Sequence, residues 1–141
     1  GQMVTFEWRG KPVYVVRRSP ETIQGLNGHD EIFSDPSSLA SNQPSYVNGI
    51  HRSIEGKEEF LIIVGLCTHL GCAPMFRPEV GAQDMGGDDW YGGFFCPCHG
   101  SKFDLAGRVY AGVPAPTNLD VPPHSYETNN IVVIGVDQEA S

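Results

Sequence analysis

Apolar and polar residues change places over short distances along this chain and rarely recur at helical spacing. Val4, Phe6 and Trp8 share one side of an alternating stretch, which predicts a first strand. Gly10-Lys11 marks a turn, and Val13 to Val16 predicts a second strand. Ser19-Pro20-Glu21 has the form of a helix start: a Ser cap, Pro in the first helical position and an acid in the first turn. That helix is expected to stop between Gly25 and Gly28. Asp35-Pro36-Ser37-Ser38 predicts one more helical turn, followed by loop to Pro44, and Asn48-Gly49 signals a turn. The longest apolar run, Phe60 to Leu66, is far too short to span a membrane and reads as a buried strand. Phe94-Phe95 and Lys102 to Asp104 predict strands, Leu105 to Arg108 a turn, Val109-Tyr110 a short strand and Asn130 to Val136 the last one. The fold class is therefore all-β, built on antiparallel pairing.

Composition narrows this. The chain has 141 residues, enough for one domain with a sizeable core. Its 17 glycines and 11 prolines favour turns and short strands over long helices. A formal charge of -8 argues against nucleic acid and anionic membrane surfaces as partners, and suits a basic protein. Arg17-Arg18 is followed by Ser19-Pro20-Glu21-Thr22, not by an apolar targeting segment, and is expected to be a solvated pair at a strand end. His29, His51 and His124 sit in polar, turn-like surroundings and are expected on the surface. The carboxylates, including Asp84, Asp88 and Asp89 in the Gly-rich segment from Arg77 to Gly93, are expected to form a solvated face.

Two stretches hold all four cysteines and two of the five histidines: Cys67-Thr68-His69-Leu70-Gly71-Cys72 and Cys96-Pro97-Cys98-His99-Gly100-Ser101. Zinc sites favour cysteine pairs two to four residues apart, and Cys-x-Cys fits that poorly. The plant-type ferredoxin spacing is not met either. A mixed site fits better, with Cys67 and His69 as one arm and Cys96 and His99 as the other.

These stretches resemble the two cluster-binding loops of the Rieske [2Fe–2S] proteins, and more narrowly those of the Rieske subunit of the cytochrome bc complex. The extra cysteine in each loop narrows the match, because Rieske ferredoxins of ring-hydroxylating dioxygenases generally lack it. Trp8-Arg9-Gly10-Lys11-Pro12-Val13 is similar to the start of that family's head domain, and Gly112-Val113-Pro114-Ala115-Pro116 to its proline loop. The interval between His69 and Cys96 is longer than is usual in the family, and residues 77–93 are expected to be a surface insertion between two strands. The resemblance implies a single domain, with a base fold of residues 1–65 and 117–141 and a cluster-binding subdomain of residues 66–116.

The resemblance also implies the chemistry. One [2Fe–2S] cluster would be held by Cys67 and Cys96 on the inner iron and by His69 and His99 on the outer one, with Cys72 and Cys98 joined as a disulfide. Two thiolates and two neutral imidazoles leave the oxidised cluster uncharged, where four thiolates would leave it at minus two. Rieske potentials accordingly lie roughly 250 to 700 mV above plant-type ferredoxins. His99 and His69 are the expected reacting residues toward a quinol, with Leu70 and Pro114 at the docking tip. Gly71 and Gly100 would permit tight turns and close backbone approach to the sulfurs. Ser101 matches the serine that hydrogen-bonds a bridging sulfide in high-potential members. Phe103 stands where those members carry a tyrosine and has no hydroxyl. The implied function is electron transfer from quinol to a c-type cytochrome, as the iron–sulfur subunit of quinol–cytochrome c oxidoreductase. The implied partners are cytochrome b and a c-type cytochrome, with no nucleic acid. The family carries an N-terminal membrane anchor, which this chain would lack, and works at the outer, periplasmic-type face of an energy-transducing membrane. Alternatives are a Rieske ferredoxin, a small Rieske subunit of another oxidoreductase such as arsenite oxidase, or a domain stapled by metal or disulfide without redox activity.

Overall fold

A computed structural model describes residues 2–87, 90–128 and 131–136. Strands β1 (Met3–Trp8), β2 (Lys11–Arg17) and β5 (Phe60–Val64) form one antiparallel sheet in the order β1-β2-β5. Strands β6 (Met75–Arg77), β7 (Gly93–Phe95) and β8 (Lys102–Asp104) form a second. Two small hairpins complete the sheets, β3 (Val47–Asn48) with β4 (Ser53–Ile54), and β9 (His124–Thr128) with β10 (Ile131–Ile134). Helix α1 (Pro20–Gly25) is capped by Ser19, whose Oγ accepts the N–H of Thr22. Short 3-10 turns cover Asp30–Ile32 and Gln83–Met85.

Register decides which side of the first sheet is core. Tyr14 pairs with Ile63 and Val16 with Leu61. That face packs into one apolar core with Phe94, Phe103, Leu105, Ala106, Leu119, Cys67 and Cys96. The side chains of Val4 and Phe6 point to the other face, since β1 pairs Val4 with Val15 and Phe6 with Val13. That face buries Val13, Ile62 and Val64 but leaves Val4 and Phe6 about half exposed at its edge. The alternation predicts the strand correctly, but its apolar side is not the main core side.

Several polar residues depart from expectation. Asp35 starts a turn, not a helix. Its carboxylate accepts the N–H groups of Leu39 and Ala40 and the hydroxyl of Ser41, and Ser38 takes a left-handed φ of 57°. A short acid that captures local N–H groups competes with helix formation. Arg17 is exposed beside Glu59, but Arg18 is buried. His124 is also buried, and its Nδ1–H donates to the carbonyl of Pro122 at 2.9 Å. Asp104 is buried against Arg108, so the carboxylates do not all lie on a solvated face. The segment expected at the surface does lie between two strands, β6 and β7, but it buries Met85 and Trp90. Its Asp88 and Asp89, like Asn130 and residues 137–141, fall outside the described residues. Val109 and Tyr110 make only isolated bridges, to Phe103 and Phe33.

Three buried arginines clamp the turn after β8. Arg18 Nη1 donates to the carbonyls of His51 and Leu105, both at 2.9 Å. Arg52 Nη1 donates to those of Ala106 and Gly107. Arg108 donates to Asp104 and to the carbonyl of Leu26. The Asp104 carboxylate in turn accepts the N–H groups of Ala106 and Arg108. Burial lowers Arg18 and Arg52 to about 10, which still leaves both charged at neutral pH. Breaking one partner of a buried charge network generally costs about 3 to 5 kcal/mol.

Burial lowers the pKa of His124 below its ordinary 6.5, so the folded chain holds it neutral while the unfolded chain takes the proton first. Its contribution to stability is whole above pH 6.5 and is lost as pH falls toward the lower folded value, where the loss levels off. Denaturant unfolding between pH 7.5 and 5 should show this decline, and His124→Leu should flatten it.

Candidate metal centre

Two loops with the same backbone closure form the candidate centre. In the first, the N–H of Cys67 donates to the carbonyl of Cys72 at 2.7 Å, and the N–H of Gly71 to that of Cys67 at 2.9 Å. In the second, the N–H of Cys96 donates to Ser101 at 2.8 Å and that of Gly100 to Cys96 at 2.9 Å. Gly71 and Gly100 have φ values of 79° and 84°, a region that favours glycine. Strand β5 delivers the first loop and β7 the second, so sheet geometry sets where both begin.

The matched frame sorts the side chains by depth. Cys67 and Cys96 head their loops and are buried, whereas His69 is half-buried and His99 exposed. The two imidazoles stand edge to face with centroids 4.9 Å apart. Cys72 and Cys98 are joined as a disulfide, and the sulfurs of Cys72, Cys96 and Cys98 all lie within 4.8 Å of one another. The expected ligand residues and the disulfide are thus brought together at one end of the molecule.

The donor set fits a mixed-ligand iron–sulfur group. Cys67 and Cys96 are free thiols facing each other inside the apolar core. Burial pushes the Cys96 thiol up, and the adjoining Cys67 sulfur adds to the shift. Two thiolates side by side there would repel each other, so they call for a cationic group between them. The imidazoles lie on the outer side, where neutral nitrogen ligands need no further charge.

The proline loop closes the centre. Ser101 is buried, and its Oγ accepts the N–H of Ala115 at 3.0 Å, which leaves its own proton free to donate. Thr68 Oγ1 donates to the carbonyl of Thr117 at 2.7 Å. Each loop therefore makes one hydrogen bond to the short stretch from Ala115 to Thr117. The Thr68 contact is not legible from the sequence, because a threonine between two ligands carries no periodic signal. Val113 packs on the core, while Pro114 and Pro116 are exposed. Leu70 is 67% exposed beside His69. Phe103 is fully buried in the core that contains both free cysteines.

An antiparallel β frame that presents two buried thiols and two outer imidazoles on disulfide-linked loops defines an iron–sulfur protein of the mixed cysteine–histidine class. The chain belongs to the Rieske [2Fe-2S] domain family, which it matches over residues 1–123. It is 51% identical over 138 residues to the ubiquinol-cytochrome c reductase iron-sulfur subunit of Allochromatium vinosum, covering 98% of this chain and 65% of that protein. It is 42% identical over 135 residues to the mitochondrial cytochrome b-c1 complex subunit Rieske-1 of Arabidopsis thaliana, covering 96% and 42%. The soluble domain of the Rieske protein II (soxF) from Sulfolobus acidocaldarius shares the fold, with a TM-score of 0.51 at 20% identity over 94% of this chain and 65% of that one. The chain thus spans less than two thirds of each. Among the described residues, no helix is long and apolar enough to cross a membrane.

The disulfide closes a loop with a sequence separation of 26. The chain-entropy relation gives that closure about 3.5 kcal/mol. Cys72→Ser should lower unfolding stability by about that amount in denaturant titrations, with faster loss of the visible absorption of the bound cluster.

Proposed function

We propose that this chain is the electron-carrying head of a quinol–cytochrome c oxidoreductase, with its [2Fe-2S] cluster held by Cys67, His69, Cys96 and His99. The observation that supports this best is the sorting of ligands by depth, with thiols inside and imidazoles outside on loops joined by Cys72–Cys98. The resemblance of nearly the whole chain to subunits named for ubiquinol–cytochrome c reductase supports the choice of complex. We read residues 66–116 as the cluster-binding unit and residues 1–65 and 117–141 as its base.

When bound, the cluster supplies one-electron chemistry. The chain's own residues supply the rest. His99, the more exposed imidazole, meets the quinol hydroxyl and holds its proton at the ring nitrogen left free of metal. His69 stands beside it on the same tip. Leu70 and Pro114 give the tip apolar contact with cytochrome b and then with a c-type cytochrome. The Ser101 hydroxyl, with its oxygen already engaged by Ala115, directs its proton at sulfur. A donor to sulfur favours the reduced, more negative state. The setting is the outer face of an energy-transducing membrane, and catalysis belongs to the assembled complex.

Midpoint potentials measured against pH, with EPR of the reduced protein, test this reading. A potential well above zero that falls as pH rises past neutral is expected. A low potential that stays flat across neutral pH would indicate a ferredoxin, and the absence of a reducible cluster would overturn the ligand assignment.

Phe103 makes the tuning testable. Phe103→Tyr places a hydroxyl in the core that also contains the free cysteines. If its hydrogen bond to sulfur favours the reduced state by about 1 kcal/mol, the potential should rise by roughly 40 mV. Protein-film voltammetry of the two forms checks this, and an unchanged potential would mean the ring does not reach the cluster.

A further inference from the structure

The two ligand loops close alike but do not end alike. Ser101 closes the second loop, and the next residue, Lys102, already pairs with Phe95 in the β7–β8 ladder. Cys72 closes the first loop, but pairing resumes only at Met75 of β6. Ala73 and Pro74 lie between, and Pro74 has no N–H to offer a ladder. The first loop therefore leaves its closure through two residues without strand support, immediately after a disulfide cysteine.

A residue far away in sequence supports that gap. Tyr14, on β2, donates its hydroxyl to the carbonyl of Pro74 at 2.9 Å in the buried interior. Its ring stacks on Phe94 with centroids 5.9 Å apart. Gly65 gives the ring its room, since a Cβ there would overlap it. Packing alone does not call for the hydroxyl, because Phe94 and Phe103 fill the same core without one. A buried hydroxyl is tolerated when it has a partner. Burial also raises the Tyr14 pKa, so the group remains a donor at working pH.

We propose that Tyr14 is a positioning residue for the first ligand loop: its hydroxyl fixes the Pro74 carbonyl, and so holds Cys72 and its disulfide against the base sheet. This rests on the reading of residues 67–72 as a ligand loop. The second loop needs no such brace because its exit is already in a ladder.

Tyr14→Phe in the cluster-loaded protein tests the proposal, since the ring and its stacking remain. One net hydrogen bond corresponds to a change of about threefold to tenfold in a local opening equilibrium. Hydrogen exchange at the amides of Cys67 and Gly71 should quicken by that factor, with exchange at Cys96 and Gly100 unchanged. Reduction of Cys72–Cys98 by dithiothreitol should quicken similarly. Tyr14→Leu, which removes the ring as well, should raise exchange in both loops. Equal acceleration in both loops of Tyr14→Phe, or none in either, would overturn the proposal. Failure of the wild-type protein to take up a cluster would instead overturn the functional reading, and the two loops can still be compared in the disulfide-intact chain.

Discussion

The structure depends on placing two free thiols inside an apolar core while keeping two imidazoles in contact with solvent. Paired thiolates in an apolar interior are unfavourable unless something cationic lies between them. Exposed loops, in turn, have little core of their own to hold their shape. Much of the rest of the molecule serves these two needs. The matching six-residue closures set Cys67 and Cys96 at equivalent places, and the disulfide ties the loops together. Thr68 and Ser101 then hold the end of the proline loop, at Thr117 and Ala115.

Beneath this tip the protein uses charge where a larger domain would use more apolar bulk. Arg18 and Arg52 reach from two separate parts of the chain to one turn, Leu105 to Arg108, and Arg108 within that turn reaches out to the carbonyl of Leu26. Guanidinium groups suit this because each offers several donors in a fixed plane, and backbone carbonyls in a tight turn present acceptors in several directions. The result anchors the turn at the end of β8, the strand that leaves the second loop. Such a network tolerates little change, because each missing donor leaves a carbonyl unsatisfied in the interior.

Much of the fold was legible in the sequence. The strand runs, the Ser19 helix cap and the turn glycines follow from local rules, and the cysteine and histidine spacing pointed to a mixed centre. What was not legible depends on long-range partners. Nothing local separates Arg17, which is solvated, from Arg18, which spans the interior. His124 reads as a surface residue until Tyr46 and Pro122 are seen beside it. Asp35 has the form of a helix start, but Ser41 and Asn118 draw it into a loop anchor. Tyr14 looks like one more strand aromatic until the fold brings Pro74 to its hydroxyl.

The segment between β6 and β7 is pinned where it begins and where it ends. It leaves β6 at Arg77 and returns to β7 at Gly93, two residues that face each other across the ladder. Its ends are therefore fixed by the sheet, whatever lies between them. It also brings its own anchors, with Trp90 stacked on Tyr110 and Tyr91 on His29. A change of length between Arg77 and Gly93 therefore need not shift the strand ends that lead to Cys72 and Cys96.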